Sequence, residues 1–239
     1  MGSSSNWSKK ALAIQEVDLI EETSIKISSL ATLGFGEVGS EILKNNMLKS
    51  GEVDPMIPGK KILAIFGFCD IRNFTDSTEV LQEEIIVFVN EISEIVHTLV
   101  DYFNGATNKN IGDAFLLVWK FPESEMISDP NNPSSLELSE SRCVKQIADM
   151  SVISFLKIIA AINLSKKLKN YKENNRLCSR MPNYCVKMGF GMHFGWAIEG
   201  VIGSEFKMDA VYLGPNVNIA ATLQNSTKIF GIPILIRFL

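Results

Sequence analysis

Two carboxylates stand where their setting suggests chemistry. Asp70 follows an apolar run, in Phe68-Cys69-Asp70-Ile71-Arg72-Asn73-Phe74-Thr75. Asp113 lies in a glycine turn, in Asn108-Lys109-Asn110-Ile111-Gly112-Asp113-Ala114-Phe115. If the hairpin around Gly112 pairs beside the first strand, both side chains leave one end of a sheet close together. Two such charges repel unless a cation sits between them, and hard carboxylate oxygens favour Mg²⁺ or Mn²⁺. Each aspartate alone also has a plain reading, Asp70 as a cap of the following turn and Asp113 as an ordinary turn residue. The expectation of a divalent site rests on the pair.

Several elements must position that pair. The unbroken apolar run from Ile62 to Cys69 reads as a strand buried on both faces. Beyond it, Leu81, Ile85, Phe88, Ile92, Ile95, Leu99 and Phe103 advance in steps of three and four, the stripe of a long helix. Asp76 and Glu79 resemble a capping box at its start. Gly105 to Lys109 and Ala114 to Trp119 flank Gly112-Asp113 as a hairpin. Pro122 to Arg142 is acidic and aperiodic, the pattern of a surface loop. Val144 to Tyr171 reads as one helix, and the lysines at its end suit a solvated C-terminus. A second hairpin is expected over Val186 to Ile202, turning near Gly195. A strand at Ala210 to Leu213, a helix over Asn216 to Thr227 and a strand at Ile232 to Phe238 complete the chain.

Upstream, residues 9–48 carry helical spacing broken by Gly34-Phe35-Gly36, which suggests two helices. Ser50 to Gly59 holds two prolines and two glycines and reads as a linker. The expected division is therefore a helical segment over 1–58 and a larger domain over 59–239. The element order predicts an α+β, ferredoxin-like (palm-like) fold, with helices packed on a mostly antiparallel sheet.

Composition narrows the partners. The chain has 239 residues, 46% of them hydrophobic and 21% charged, which fits a globular protein. A net charge of −4 offers no general attraction to nucleic acid or to an anionic membrane. Cys69, Cys143, Cys178 and Cys185 show no Cys-x-x-Cys spacing, so a reduced, intracellular setting is expected. The apolar stretch Val152 to Leu164 is interrupted by Lys157 and falls short of the ~20 residues of a membrane span. The start lacks a signal-peptide core, and Asn6 misses a myristoylation pattern. The cytoplasm is the expected location, with the cytosolic face of a membrane or a cilium as the alternative for a longer parent.

The motifs around both aspartates resemble the two metal motifs of class III nucleotidyl cyclases, the adenylyl and guanylyl cyclases, in wording closest to protist and ciliate forms. Two further stretches resemble later family segments: Gly189-Phe190-Gly191-Met192-His193-Phe194-Gly195 continuing to Gly203, and Leu213-Gly214-Pro215-Asn216-Val217-Asn218-Ile219-Ala220-Ala221. All four occur in family order from about residue 60 onward. The resemblance implies that Asp70, Asp113 and the Ile71 carbonyl hold two Mg²⁺ or Mn²⁺ ions. It implies that the backbone around Asn73, Phe74 and Thr75 cradles phosphates, with plain core packing an equal alternative for Phe74, and that Asn218 contacts the ribose. It further implies a head-to-tail homodimer, or a heterodimer with another cyclase subunit, whose active sites lie at the interface. Lys109, four residues before the second metal aspartate, takes the base-reading position. A lysine only donates, which suits adenine N1 and makes ATP, converted to 3′,5′-cyclic AMP and pyrophosphate, the expected substrate; GTP is the less favoured one.

Two positions depart from the family pattern. Val211, three residues before Gly214, stands where the family places a second adenine contact, and valine cannot hydrogen-bond. Thr222, four residues after Asn218, stands where the family has an arginine that steadies transition-state charge. Loss of such a positioned cation typically costs ~10²-fold or more in rate. A catalytically weak or inert cyclase-homology subunit, acting as a nucleotide-binding scaffold or as the metal-side half of a heterodimer, is the alternative. A diguanylate cyclase on the same fold is disfavoured, since no Gly-Gly-Asp/Glu-Glu-Phe turn occurs.

Overall fold

The computed structural model describes residues 19–29, 58–129, 132–204 and 207–237. Residues 19–29 form an exposed helix, α1; the remaining helical expectations over 9–48 lie outside the described residues. By internal contacts the chain divides into two compact units, Pro58–Gly200 with Val211–Leu239, and Met1–Ile57 with Val201–Ala210. The first unit holds both carboxylates.

Its centre is β1 (Lys60–Ile71), and the apolar run explains why. From Ile62 to Phe66 every side chain is almost fully buried, so β1 can lie only inside a covered sheet. The sheet is six-stranded, in the order β2 (Ala106–Ile111), β3 (Ala114–Lys120), β1, β6 (Met188–Ser204) and β7 (Lys207–Leu213), with β8 (Ile234–Arg237) also pairing β6. All the registered pairings are antiparallel except the parallel β6–β8 pair, giving an α+β architecture with a mixed sheet.

The two faces of β1 are covered differently. Leu63, Ile65, Cys69 and Ile71 join Phe115, Leu117 and Trp119 of β3 and Phe190 and Met192 of β6 in the main core. Against them lie Phe88, Ile92, Val96 and Val100 of α3 (Ile85–Tyr102) and Phe155, Ile158 and Ile162 of α4 (Arg142–Leu164). Phe155 meets Trp119 and Phe190 with ring centroids 5.7 and 5.0 Å apart. The alternate residues, Phe66, Phe68 and Asp70, point to the opposite face, where α7 (Pro215–Phe230) packs. Gly191 lets it do so, because a Cβ there would overlap the backbone of Ala220 and Gln224.

Five local expectations need correction. The helix anticipated after β1 is two: α2 (Phe74–Leu81) ends at Gln82, whose φ of 50° breaks the backbone while the apolar stripe continues into α3. Asp76 and Glu79 do not cap it. They receive Arg180 of α6 (Asn175–Arg180) at 2.9 and 3.2 Å instead. The segment 122–142 is not all loop, since β4 (Met126–Asp129) and β5 (Asn132–Leu138) form a small hairpin, with Met126, Leu136 and Leu138 packed on the core. The helix over 144–171 breaks at Ser165, whose hydroxyl caps α5 (Lys166–Lys172) by accepting from Leu168 N. Finally, Gly195 does not turn a hairpin. β6 runs straight through it and pairs β1 from Met188 to Glu199, and Gly195 instead leaves room for the Asn216 amide.

α4 has the length and mean hydropathy (1.8) of a membrane span, yet Ser151, Ser154, Phe155, Ile158 and Ile162 are its buried stripe, the pattern of a core helix.

Candidate active site

The register of β1 with β3 sets Ala114 opposite Asp70, and Ile71 N donates to Asp113 O at 3.2 Å. The Gly112 turn, with φ 64°, thus delivers Asp113 to the end of β1 beside Asp70. The Asp70 side chain is 14% exposed, and Lys228 Nζ of α7 lies 3.4 Å from its Oδ1. That oxygen is buried and accepts no hydrogen bond among the described residues. Burial pushes the Asp113 carboxyl above the ordinary range, a backbone hydrogen bond draws it back, Asp70 pushes it up again and Lys228 opposes. Cys69, on the other face, is pushed up by burial and then by Asp70, so it keeps its proton and is no ligand.

Asp113 borders a cavity of about 920 Å³, lined also by Ile71, Arg72, Phe74, Thr227 and Lys228. Asn73 and Thr75 also face it. Asn73 adopts a left-handed conformation (φ 57°), which asparagine tolerates better than most residues, and α2 begins at once after it. The first amides of a helix lack partners within it, and the residues that begin α2 line the cavity. Phe74 lines the cavity and packs half-buried against the core.

The donor set suits a hard divalent ion. It consists of two carboxylates, one with a buried oxygen that accepts no hydrogen bond among the described residues, and a backbone carbonyl, with no imidazole or thiolate. Among the described residues no group of three or more His, Cys, Asp or Glu side chains gathers. An ion on Asp70 and Asp113 would complete its shell from water and phosphate, as Mg²⁺ commonly does.

The other candidate residues lie elsewhere. Lys109, half-buried on β2, stands opposite Leu116, which stands opposite Phe68. It therefore shares the Asp70 face of the sheet, roughly 12 Å away, two strand spacings across and two residues along. Val211 is half-buried on β7. Asn218 and Thr222 lie on the exposed side of α7, where the Thr222 hydroxyl donates to Asn218 O at 2.9 Å. Asn218 is about 15 Å along the helix axis from Lys228, the residue that reaches Asp70. One chain therefore brings Asp70, Ile71, Asp113 and the Asn73–Thr75 turn together and leaves Lys109, Asn218 and Thr222 apart from them.

Sequence reasoning missed Arg72, Thr227 and Lys228. Arg72 sits inside the first motif and was detectable as a cation next to Asp70. Thr227 and Lys228 carry no local signal, since Arg72 and Thr227 meet across 155 positions.

Comparison with known proteins agrees with the fold. The family profile for the adenylate and guanylate cyclase catalytic domain matches residues 60–233, and one for the RasGEFs all helical domain matches residues 3–48. An adenylate cyclase of Anabaena cylindrica is 25% identical over 173 residues, covering 71% of this chain and 28% of that protein. The receptor-type guanylate cyclase gcy-28 of Caenorhabditis elegans is 26% identical over 204 residues, covering 82% of this chain and 13% of that protein. The chain thus spans less than a third of the length of either relative. Among solved structures, a bacterial light-regulated adenylyl cyclase superposes with a TM-score of 0.65 at 22% identity, covering 94% of this chain and 56% of that one, a likeness of fold. With the profile matched over most of its length and both metal motifs at one end of the sheet, the chain belongs to the adenylate and guanylate cyclase catalytic-domain family.

Proposed function

We propose that this chain is an adenylyl cyclase domain that converts ATP to 3′,5′-cyclic AMP and pyrophosphate at the interface of a dimer. The observation that carries this reading is the adjoining pair Asp70 and Asp113, Asp113 lining a roomy cavity and the buried Asp70 Oδ1 accepting no hydrogen bond among the described residues, with Lys228 at 3.4 Å. In the reaction the ribose 3′-oxygen attacks the α-phosphorus and the bond to the bridging α–β oxygen breaks. Pyrophosphate leaves with the electron pair, and the hydroxyl proton passes to solvent. Asp70, Asp113 and the Ile71 carbonyl would hold the divalent ions. Bound there, the ions supply Lewis acidity toward the 3′-hydroxyl and neutralise triphosphate charge. The amides at Asn73, Phe74 and Thr75 receive phosphate oxygens as a nest before a helix.

The partner chain, a second copy or another cyclase subunit, contributes its own Lys109 to adenine N1 and its Asn218 to the ribose. The separation of those residues from the carboxylates within one chain supports this division. Residues 1–58 act as a helical segment that sets how the two chains meet, with simple docking as the alternative, and the reaction is placed in the cytoplasm.

The second reading, a weak or inert subunit, is favoured by Thr222 and Val211. Purified chain offered ATP or GTP with Mn²⁺ separates the two. Cyclic AMP from ATP in excess of cyclic GMP from GTP is expected, with at least ~10²-fold loss in Asp70→Asn and a gain in Thr222→Arg. No product from wild type or Thr222→Arg would select the scaffold.

A further inference from the structure

Arg72 leaves β1 on the same face as Asp70, and its backbone is pinned where Arg72 N donates to Lys187 O at 2.8 Å. One guanidinium nitrogen, Nη2, donates to Thr227 Oγ1. That hydroxyl in turn donates to Gln224 O, which orients it to accept from Arg72. The guanidinium lies over β6 where Gly189 has no side chain, and a Cβ there would overlap it. The other nitrogen, Nη1, is buried and has no hydrogen-bond partner among the described residues, on a side chain that lines the cavity.

An arginine keeps its charge in any protein environment, and a buried charged donor left unbonded costs free energy. Burial does push Arg72 down, while Asp70 opposes the shift. Asp70 is nevertheless not its bonded counter-ion. Asp70 is ion-paired with Lys228 at 3.4 Å, and its Oδ1 accepts no hydrogen bond among the described residues. At and beside this cavity, then, stand a carboxylate pair, whose buried Asp70 Oδ1 has Lys228 at 3.4 Å but no hydrogen bond, and one buried donor, Arg72 Nη1, without an acceptor among the described residues. A ligand that satisfies both must carry both signs of charge: a divalent cation for the carboxylate, joined to an anion for the guanidinium. A metal-bound di- or triphosphate has that chemistry, and guanidinium–phosphate hydrogen bonds are among the stronger ones.

We infer that Arg72 is a phosphate-binding residue of this site, anchored by Thr227 and holding the pyrophosphate portion of the metal–nucleotide on the same chain as the metal carboxylates. The inference rests on the cyclase reading above and adds to it a residue outside the metal and ribose positions.

The test titrates the full chain with magnesium pyrophosphate in a calorimeter, with cyclic AMP formation measured in parallel. Two variants are compared. Arg72→Gln removes the charge. Gly189→Ala keeps the charge but displaces the guanidinium, and it should fold because its Cβ meets side-chain atoms of Arg72 and Thr227 and no backbone. Pyrophosphate affinity is expected to fall by about tenfold or more in both, with Mn²⁺ binding retained by paramagnetic resonance. Unchanged pyrophosphate affinity in both folded variants, or no pyrophosphate binding by wild type, overturns the inference. Cyclic AMP from a wild type whose pyrophosphate binding ignores Arg72 removes the inference and leaves the cyclase reading. Arg72-dependent pyrophosphate binding without any cyclic nucleotide does the reverse.

Discussion

Asp113 bears the cost of sitting beside Asp70 in a half-buried turn. Burial first, and Asp70 after the opposing backbone hydrogen bond, raise its pKa above the ordinary carboxylate value, so the folded chain binds a proton there more readily than the unfolded one. Stability of the metal-free protein must then decline as pH rises from the unfolded carboxylate value through the folded one. Asp113→Asn has no charge to bury. In chelator it should melt a few degrees above wild type near pH 7, and the gain should vanish by about pH 3, where wild type is protonated in both states. A gain independent of pH would mean that the turn, not the charge, is strained. Mn²⁺ should raise the melting temperature of wild type and leave the variant unmoved, because only the native pair offers two carboxylates.

At the scale of elements, the seat of α7 decides whether the cavity keeps its shape. The helix lies on β6 at Gly191 and carries Thr227 and Lys228 to the end of β1. Its buried stripe of Val217, Ala220, Gln224 and Thr227 mixes small and polar residues, so close backbone approach replaces bulky packing. Gly191→Ala meets backbone atoms that cannot swing aside. It should destabilise the chain by about 1–3 kcal/mol in urea unfolding, as overpacked sites do. Gly189→Ala, two residues away on the same strand, meets only side-chain ends and should cost much less. Equal losses would show that α7 is held mainly elsewhere. The His193 ring supports the same arrangement at the other end of the helix, with Nδ1 3.0 Å from Arg237 O and Nε2 3.2 Å from Asn216 Oδ1.

At the scale of the whole molecule, the candidate residues fall into two groups. Asp70 and Asp113 lie at one end of α7, whereas Asn218 and Thr222 face outward nearer its start. If two chains complete each other's sites, inactivation at the two ends must be complementable. Asp70→Asn mixed with Asn218→Ala should regain roughly a quarter of wild-type activity, because half of randomly paired dimers are mixed and each holds one intact site. Activity no higher than that of either variant alone would place the working residues on a single chain. The absence of a cationic side chain at Thr222 makes the same point: Thr222→Arg should raise turnover, and most when the substitution is carried by the chain opposite an intact Asp70.

The sequence by itself determined the parts whose causes are local. A continuous apolar run can only be an inner strand, so Asp70 at its end had to lie on the rim of a sheet. A glycine–aspartate turn between two short strands had to present Asp113, and four motifs in order named the family. Other features depended on contacts between distant segments, and there the tertiary structure decided. β6 reads as a hairpin around Gly195 until the register with β1 shows each glycine answering a neighbour from α7, the Asn216 amide at Gly195 and helix backbone at Gly191. The 126–138 hairpin is hidden because its apolar residues are few and gain meaning only against the core. Arg72, Thr227 and Lys228 have no shared pattern in one dimension. They meet because α7 crosses the end of β1, and charges brought together by packing leave no periodicity for a sequence to display.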